Sequence, residues 1–244
     1  MLLVLSFPLL GVPVAKRGPV LVELFTSEGC SSCPPADALL RELDGSGDPE
    51  VIALGEHVDY WNQLGWVDPF SSAAFSRRQE DYARRLGGGG VYTPQLVVDG
   101  RREMVGSDRA QVHRALAEAA DQAKLPVALM ARLVSPARLQ VQVEADVAGA
   151  AGAAEAFLAL TEGPLESRVP RGENAGRVLT HAAVVRKWLE LGPVAATGGH
   201  YRAAPSVELD PGWRPERMKV VVFIQERGTG QVLGAASARL DQAE

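Results

Sequence analysis

Cysteine is scarce in this chain of 244 residues, which contains only Cys30 and Cys33. Two cysteines cannot form the framework of several disulfides that holds small secreted domains together, so their chemistry must be local. A chain of this length buries a sizeable core without such cross-links. At roughly 150 residues per domain the length predicts one or two domains, and two is our working hypothesis.

Basic residues are not in excess, and no long basic run occurs. The 25 Lys and Arg residues are outnumbered by 30 Asp and Glu residues, which gives a formal net charge of -5 at pH 7. Nucleic-acid phosphates are neutralised by clustered positive charge, so nucleic acid is not an expected partner. The glycine run Gly87–Gly90 lacks the lysine and the hydroxyl of a phosphate-binding loop. We expect no nucleotide site and no bound cofactor.

Long apolar runs are missing except at the start. Met1–Ala15 is apolar and is followed by Lys16 and Arg17, but it is shorter than the roughly 20 residues that span a bilayer. It resembles the hydrophobic part of a secretory signal, without a basic residue ahead of it and with Pro13 badly placed for cleavage. We interpret residues 1–17 as an atypical leader or, alternatively, an N-terminal arm packed on the core. The leader interpretation predicts a periplasmic or secreted protein without a membrane span.

The first half of the chain alternates strand and helix patterns. Short β-branched runs bounded by Gly and Pro predict strands, and periodic runs after Ser or Pro predict helices. This order is typical of an α/β domain with a mixed sheet, which we assign to residues 18–124. The predicted elements are strands at Pro19–Phe25 and Val51–Val58, helices at Ala36–Leu43 and Ser71–Leu86, a hairpin over Leu96–Val105 that turns at Asp99–Gly100, and a helix at Asp108–Ala123 capped by Ser107.

The pattern changes at Leu125–Pro126. From there, apolar runs are separated by Pro, Gly, Asn and Asp, with little helical periodicity. This pattern of short apolar runs and turn residues predicts a β-sandwich-like domain over residues 125–244. Ala148–Ala154 is interpreted as a loop between strands, and Val178–Trp188 fits either a strand or a helix.

A C-x-x-C motif, Cys30-Ser31-Ser32-Cys33, lies between the first predicted strand and the first predicted helix. The free N–H groups and the positive dipole end of a helix start stabilise a thiolate, which thiol–disulfide exchange requires. We expect Cys30 to be the more exposed, attacking thiol and Cys33 the resolving one. A static disulfide, two buried thiols and half of a metal site are the alternatives.

Four segments resemble an uncharacterised bacterial family of secreted, thioredoxin-like proteins, catalogued as a domain of unknown function. The resemblance covers roughly residues 19–240 and implies a thioredoxin-like domain with a β-rich appendage, but no known substrate. The segments are VELFTSEGCSSCPPAD (Val22–Asp37), HVDYWNQLGWVDPFSS (His57–Ser72), VYTPQLVVDG (Val91–Gly100) and RGENAGRVLTHAAVVR (Arg171–Arg186).

Thr93 and Pro94 precede the predicted hairpin, at the position where a thioredoxin-type fold places a cis proline beside its thiols. Cis bonds occur at only about 5–6% of X-Pro sites, but together with the C-x-x-C motif this context predicts a cis Thr93–Pro94 bond. Such a bond would turn backbone groups outward to pair with an extended substrate.

Carboxylates close to the motif are candidates for handling its protons. Glu23 lies among apolar residues of the first strand, where it either accepts the proton of the second cysteine or pairs with Arg or Lys. Glu28 is expected to be exposed.

His57, Asp59 and Trp61 follow the second strand, where α/β folds place groups that contact ligands. They are predicted to support the site or to contact a substrate loop. The spacing of His57 and Asp59 does not match an established metal site, so no metal is expected.

Arg171–Asn174 and His181 form the one polar cluster of the second half. We interpret it as a tight turn with a hydrogen-bonded histidine that joins the two domains. A ligand or metal role for Glu173 and His181 is the alternative.

The sequence therefore predicts thiol–disulfide exchange on protein thiols or disulfides through Cys30 and Cys33. A non-catalytic binding or assembly module, such as a metal carrier using the same dithiol, is the competing hypothesis.

Overall fold

A computed structural model describes residues 16–44, 50–87, 89–147, 153–194 and 199–240. Residues 1–15 and 148–152, which hold most of the predicted leader and of the predicted alanine-rich loop, lie outside the described residues. None of the helices in the described ranges has the length and apolar character needed to cross a membrane.

The described residues form three α-helices, two short 3-10 helices and sixteen strands. The helices are α1 Pro34–Leu43, α2 Ala73–Leu86 and α3 Arg109–Ala120, with 3-10 turns at Asn62–Leu64 and Pro215–Arg217. The strands of the first half are β1 Lys16–Arg17, β2 Val20–Thr26, β3 Val51–His57, β4 Gln95–Val98, β5 Arg102–Val105 and β6 Ala123–Lys124. Those of the second half are β7 Val127–Ser135, β8 Arg138–Asp146, β9 Ala154–Glu162, β10 Leu165–Arg168, β11 Val178–His181, β12 Val184–Val194, β13 His200–Ala203, β14 Ser206–Glu208, β15 Met218–Glu226 and β16 Val232–Arg239.

One mixed sheet of eight strands runs through both halves in the order β16-β15-β9-β12-β3-β2-β4-β5. The halves meet where β12 runs parallel to β3, with Val184 opposite Gly55. Gly55 donates its N–H to the carbonyl of Ala183 at 2.7 Å, and a Cβ at Gly55 would lie 2.9 Å from the carbonyl oxygen of Ala182. The junction therefore requires glycine at this position.

Alternation along β2 divides the first half into two layers. Val22 and Leu24 pack with α1 and α3 on one face of the sheet. Leu21 and Phe25 pack on the other face, with Phe75 and Tyr82 of α2 respectively. Every strand and helix predicted for this half is present.

The start of α3 differs from the prediction. Its cap is Asp108 rather than Ser107, because the Asp108 side chain reaches the N–H of Gln111 at 3.0 Å. The helix ends at Ala120, since Ala123–Lys124 instead pairs with Lys16–Arg17. The predicted turn at Asp99–Gly100 is confirmed: both residues have positive φ, 48° and 65°, and Arg101 donates its N–H to the Val98 carbonyl at 3.0 Å. Val98 pairs with Arg102, so three residues connect the two strands.

The second half stacks a four-stranded sheet, β7, β8, β13 and β14, on the large sheet. Alternate residues of β8, β9 and β15 fill the space between these two layers. The Val178–Trp188 run is two strands, β11 and β12, separated by Ala182–Ala183, where Ala183 has a φ of 48°. The strand alternative is therefore confirmed for this run.

Side chains of both halves also share one core cluster. Ile52 and Phe75 of the first half pack with Phe157, Val221 and Phe223 of the second. The division near residue 124 stays a prediction, and a first half cut there would expose these apolar groups to water. The thioredoxin-like and sandwich-like fold assignments also stay predictions.

Candidate functional site

The two cysteines form a disulfide at the start of α1. Cys30 donates its N–H to the carbonyl of Ser27 at 3.1 Å, and Cys33 donates to the carbonyl of Cys30 at 3.2 Å. These two turns follow β2 directly and bring Cys33 to the N-cap position of α1, ahead of two prolines that need no N–H partner. The predicted position between strand and helix is confirmed.

Trp61 joins the disulfide loop to the cis-proline segment. The Thr93–Pro94 bond is cis, as predicted. Trp61 Nε1 donates to Thr93 Oγ1 at 2.9 Å, and the Trp61 Cβ lies 3.2 Å from the place of a Cβ on Gly29. Trp61 therefore contacts the loop that carries Cys30 and links that loop to Thr93.

Both cysteines are 0% exposed, whereas Ser31 and Ser32 between them are exposed. The prediction that Cys30 is the more exposed thiol is wrong. The Ser32 hydroxyl lies 3.4 Å from the Cys30 sulfur, and residues Val169–Arg177 of the second half, which connect β10 to β11, contact the backbone of the disulfide loop. We call Val169–Arg177 the cap segment.

Asn174 is the main link between the cap segment and the disulfide loop. It is 0% exposed, and its Nδ2 donates to the carbonyls of Glu28 and Cys30, both at 2.9 Å. The neighbouring Glu173 accepts the Ser31 N–H at 3.0 Å. Arg177 Nη1 donates to Asn174 Oδ1 at 2.8 Å and so holds the Asn174 amide in place. The turn that was predicted to join the halves therefore lies on the disulfide loop.

Five buried titratable side chains lie beneath the disulfide loop, and we call them the buried network. They come from the loop before Cys30, from α1, from β3, from the loop before α2 and from β11. The members are Glu28, Asp37, His57, Asp68 and His181.

The two histidines bring the halves together within this network. Their ring centroids are 4.8 Å apart, and Phe70 lies edge-on to both. His57 Nδ1 lies 2.7 Å from Asp68 Oδ2, and His181 Nε2 lies 3.3 Å from Glu28 Oε1. Each histidine thus has a carboxylate partner in the first half.

Burial and hydrogen bonding shift the acidities of these groups in different directions. Burial works against ionised Glu28, but hydrogen bonds from His181, Ser167 and Trp66 outweigh it and lower the pKa of Glu28. Burial raises the pKa of Asp37, and the nearby histidines and Thr26 only partly compensate. Asp37 is therefore the carboxyl of the network that holds a proton most readily.

The His57–Asp68 pair is shifted toward the charged forms. Burial opposes the charge on His57, but the charge and hydrogen bond of Asp68 raise its pKa. For Asp68, burial is outweighed by His57 and by the N–H groups of Glu28 and Phe70, so its pKa is lowered. Both shifts favour the ionised forms of this buried pair.

The sequence pattern of one protein family matches residues 21–225. The chain belongs to the DUF1223 family, whose members are described as proteins of unknown function. Its predicted place in an uncharacterised family is thereby confirmed. Among curated proteins, no sequence matches this DUF1223 chain.

Two solved structures are similar along most of their length. A structural-genomics protein from Agrobacterium tumefaciens is 28% identical, with a TM-score of 0.69 and coverage of 94% of this chain and 98% of that one. HBP35 of Porphyromonas gingivalis is 15% identical, with a TM-score of 0.67 and coverage of 93% and 77% respectively. The second likeness concerns the fold alone, and neither comparison assigns an activity.

Glu23 lies apart from the disulfide. It is on the face of β2 that packs against α2, and it is bound by Arg78 Nε and by the Tyr82 hydroxyl, both at 2.5 Å. Cys33 belongs to α1 on the opposite face. Pairing with an arginine is therefore the alternative that the structure shows for Glu23.

Asp59 and His57 do not share a ligand site. The Asp59 carboxylate accepts the Ser76 hydroxyl at 2.5 Å at the start of α2, whereas His57 points to Asp68. Within the described ranges, no group of three or more His, Cys, Asp and Glu side chains is arranged to hold a metal ion.

Sequence reasoning missed three contributors to the site and misplaced Glu28. Glu28 is 0% exposed rather than exposed, because Trp66, Ser167 and His181 cover it. Asp37 had a usable signal, since it follows Cys33 by four residues in a predicted helix and must share its face. The other two depend on contacts between segments far apart in sequence. The three missed residues are Asp37, Asp68 and Ser167.

Proposed function

We propose that this protein exchanges thiols and disulfides with protein partners through Cys30 and Cys33. The observation that carries the proposal is the Cys30–Cys33 disulfide at the start of α1. A helix start supplies free N–H groups and a positive dipole end, which favour the thiolate form of a cysteine in its first turn.

We further propose a thioredoxin-like fold for the first half and a periplasmic or secreted location. The fold proposal is supported by the strand order β3-β2-β4-β5, the helices on both faces and the cis proline directly before β4. The location is supported by the disulfide, because disulfides persist in oxidising compartments.

The reaction has two steps in the oxidising direction. A partner thiolate attacks the Cys30 sulfur, and the bond between Cys30 and Cys33 breaks, which leaves a mixed disulfide and a Cys33 thiolate that takes up a proton. A second partner thiolate then attacks the partner sulfur and releases Cys30. The partner is oxidised by two electrons, and the dithiol is reduced. In the reverse direction, Cys33 resolves the mixed disulfide.

Access is the main demand on this reaction. Because both cysteines are 0% exposed, a protein thiol reaches them only after the groups that cover them move. The same burial favours a second candidate, a non-catalytic binding or assembly module in which the disulfide only fixes the loop.

The experiment is trapping with a reduced, cysteine-containing peptide and with an oxidised one. We expect Cys33→Ser to accumulate a covalent complex with the oxidised peptide, whereas Cys30→Ser does not. We also expect the oxidised wild-type protein to oxidise the reduced peptide faster than oxidised glutathione does at equal concentration. Rates no higher than those of glutathione, together with no trapped complex, would favour the binding module.

A further inference from the structure

Asp37 is placed to exchange a proton with Cys33. Cys33 has helical backbone angles, φ -77° and ψ -36°, and its carbonyl accepts the Asp37 N–H at 3.1 Å. Side chains four residues apart on a helix are neighbours, with roughly 5–6 Å between Cβ atoms. Both side chains are buried, and Thr26 Oγ1 donates to Asp37 Oδ1 at 2.9 Å. The second carboxylate oxygen is the one that turns toward the second half.

His181 faces that second oxygen. Its Nδ1 lies 3.9 Å from Asp37 Oδ2 and, among the described residues, has no hydrogen-bond partner. Its Nε2 is 3.3 Å from Glu28 Oε1, so the ring lies between two carboxylates. The imidazole of β11 is thus the one group of the second half directed at the Asp37 carboxylate.

We propose that Asp37 accepts the proton of Cys33 when Cys33 resolves a mixed disulfide, and that His181, backed by Glu28, is the positioning residue for Asp37. This inference rests on the proposed exchange reaction and assigns the proton transfer within it.

The resolving step begins with a proton transfer. The Cys33 thiol gives its proton to Asp37, and the resulting thiolate attacks the Cys30 sulfur. The bond between Cys30 and the partner sulfur breaks, and the partner leaves as a thiolate that takes a proton from water. The Cys30–Cys33 pair loses two electrons, and the partner gains them. The proton on Asp37 is later released to solvent.

The electrostatic surroundings of Asp37 suit this task. The titratable groups that face it are His181 of β11, His57 of β3 and the Asp68 carboxylate before α2, with Thr26 of β2 as hydrogen-bond donor. Burial raises the Asp37 pKa toward that of a thiol, which improves proton transfer. The nearby His181 acts in the opposite direction and lowers the Asp37 pKa, which favours the carboxylate form that accepts a proton.

The test measures how fast Cys33 releases a probe from Cys30 in the reduced full-length protein. The Cys30 thiolate reacts with the aromatic disulfide 5,5′-dithiobis(2-nitrobenzoate), which leaves half of the probe on Cys30 as a mixed disulfide and releases the other half as a coloured thiolate. Cys33 then attacks the Cys30 sulfur and releases the second half as a coloured thiolate, at a rate independent of probe concentration. The release is followed by absorbance across pH 5 to 9.

We expect Asp37→Asn to slow the release about 100-fold or more at pH 7, the usual contribution of a positioned general base. The rate should then rise with the ionisation of Cys33 alone. In a plot of release rate against pH, the rate should rise at low pH as Asp37 ionises and then reach a plateau. His181→Gln should move this rise to higher pH, because the Asp37 pKa increases when His181 is removed, and should leave the plateau rate unchanged. Thr26→Val removes only the hydroxyl that donates to Asp37, and it should move the rise of the rate in the same direction, because that hydrogen bond lowers the Asp37 pKa.

His57→Gln is the comparison variant. His57 is an equally buried histidine with its own carboxylate partner, and it lowers the Asp37 pKa less than His181 does, so its loss should move the rise of the rate by a smaller amount and leave the plateau unchanged. An unchanged profile in Asp37→Asn and His181→Gln would overturn the proton role alone. A plateau lowered by His57→Gln as much as by Asp37→Asn would also overturn it, because the effect would then be structural. A wild-type protein that keeps the probe on Cys30 would overturn the exchange reaction together with this inference.

Discussion

Replacing Asn174 by alanine tests how the cap segment controls access to the disulfide. The substitution removes two hydrogen bonds to buried carbonyls, those of Glu28 and Cys30. Leaving a buried polar group without its partner costs about 1–3 kcal/mol, and the Cys30 carbonyl keeps the Cys33 N–H, so the closed cap should lose about 2 kcal/mol. Since each 1.4 kcal/mol is a factor of ten, about 2 kcal/mol raises the open population roughly 30-fold.

The assay is reduction of the disulfide by a small dithiol, followed by alkylation and mass measurement. When the cap opens and closes faster than reduction occurs, the reduction rate follows the open population. Asn174→Ala should therefore be reduced roughly 30-fold faster than wild type. Urea unfolding, measured in parallel, separates opening of the cap from loss of global stability.

Asn62→Ala is the matched control. Asn62 also makes two side-chain hydrogen bonds, to the Ser71 hydroxyl at 2.9 Å and to the Asp68 N–H at 3.0 Å, but it does not touch the disulfide loop. We expect a comparable loss of global stability without faster reduction. Equal acceleration in both variants, or none in Asn174→Ala, would refute the role of the cap segment.

Three further predictions concern charge and packing. Glu173→Gln should move the alkylation of the reduced Cys30 thiol to lower pH, because it removes a negative charge bound to the Ser31 N–H; alkylation rates across pH measure this, and an unchanged profile would contradict it. The folded-state pKa of His57 is raised, so its contribution to stability is complete below about pH 6.5 and is lost as pH rises through the folded value; His57→Gln should remove this loss in urea titrations. Gly55→Ala should cost about 1–3 kcal/mol in urea unfolding, because its Cβ meets the Ala182 carbonyl, whereas Gly89→Ala, whose Cβ meets nothing within 4 Å, should be near neutral.

The local elements of the fold followed from the sequence because their causes are local. Strand β2 is a short β-branched run between turn residues, the prolines after Cys33 suit a first helical turn, and Asp99–Gly100 is a hairpin turn signal. The position of the disulfide between β2 and α1 was predictable for the same reason. The C-x-x-C motif that forms the disulfide consists of four consecutive residues.

The surroundings of the disulfide were decided by the tertiary structure. Glu28 is covered by Ser167 and His181 of the second half as well as by Trp66, and the Cys30 carbonyl is bound by Asn174, which lies 144 residues further along the chain. Likewise, Asp37 meets His181 only because β12 pairs with β3 and carries β11 to the edge of α1. Hydrophobic periodicity specifies which face of a strand is buried, but it does not specify which distant segment covers that face. The sequence alone therefore determined that a dithiol begins a helix, and only the packing of the two halves determined that the cap segment lies against it and that His181 faces Asp37.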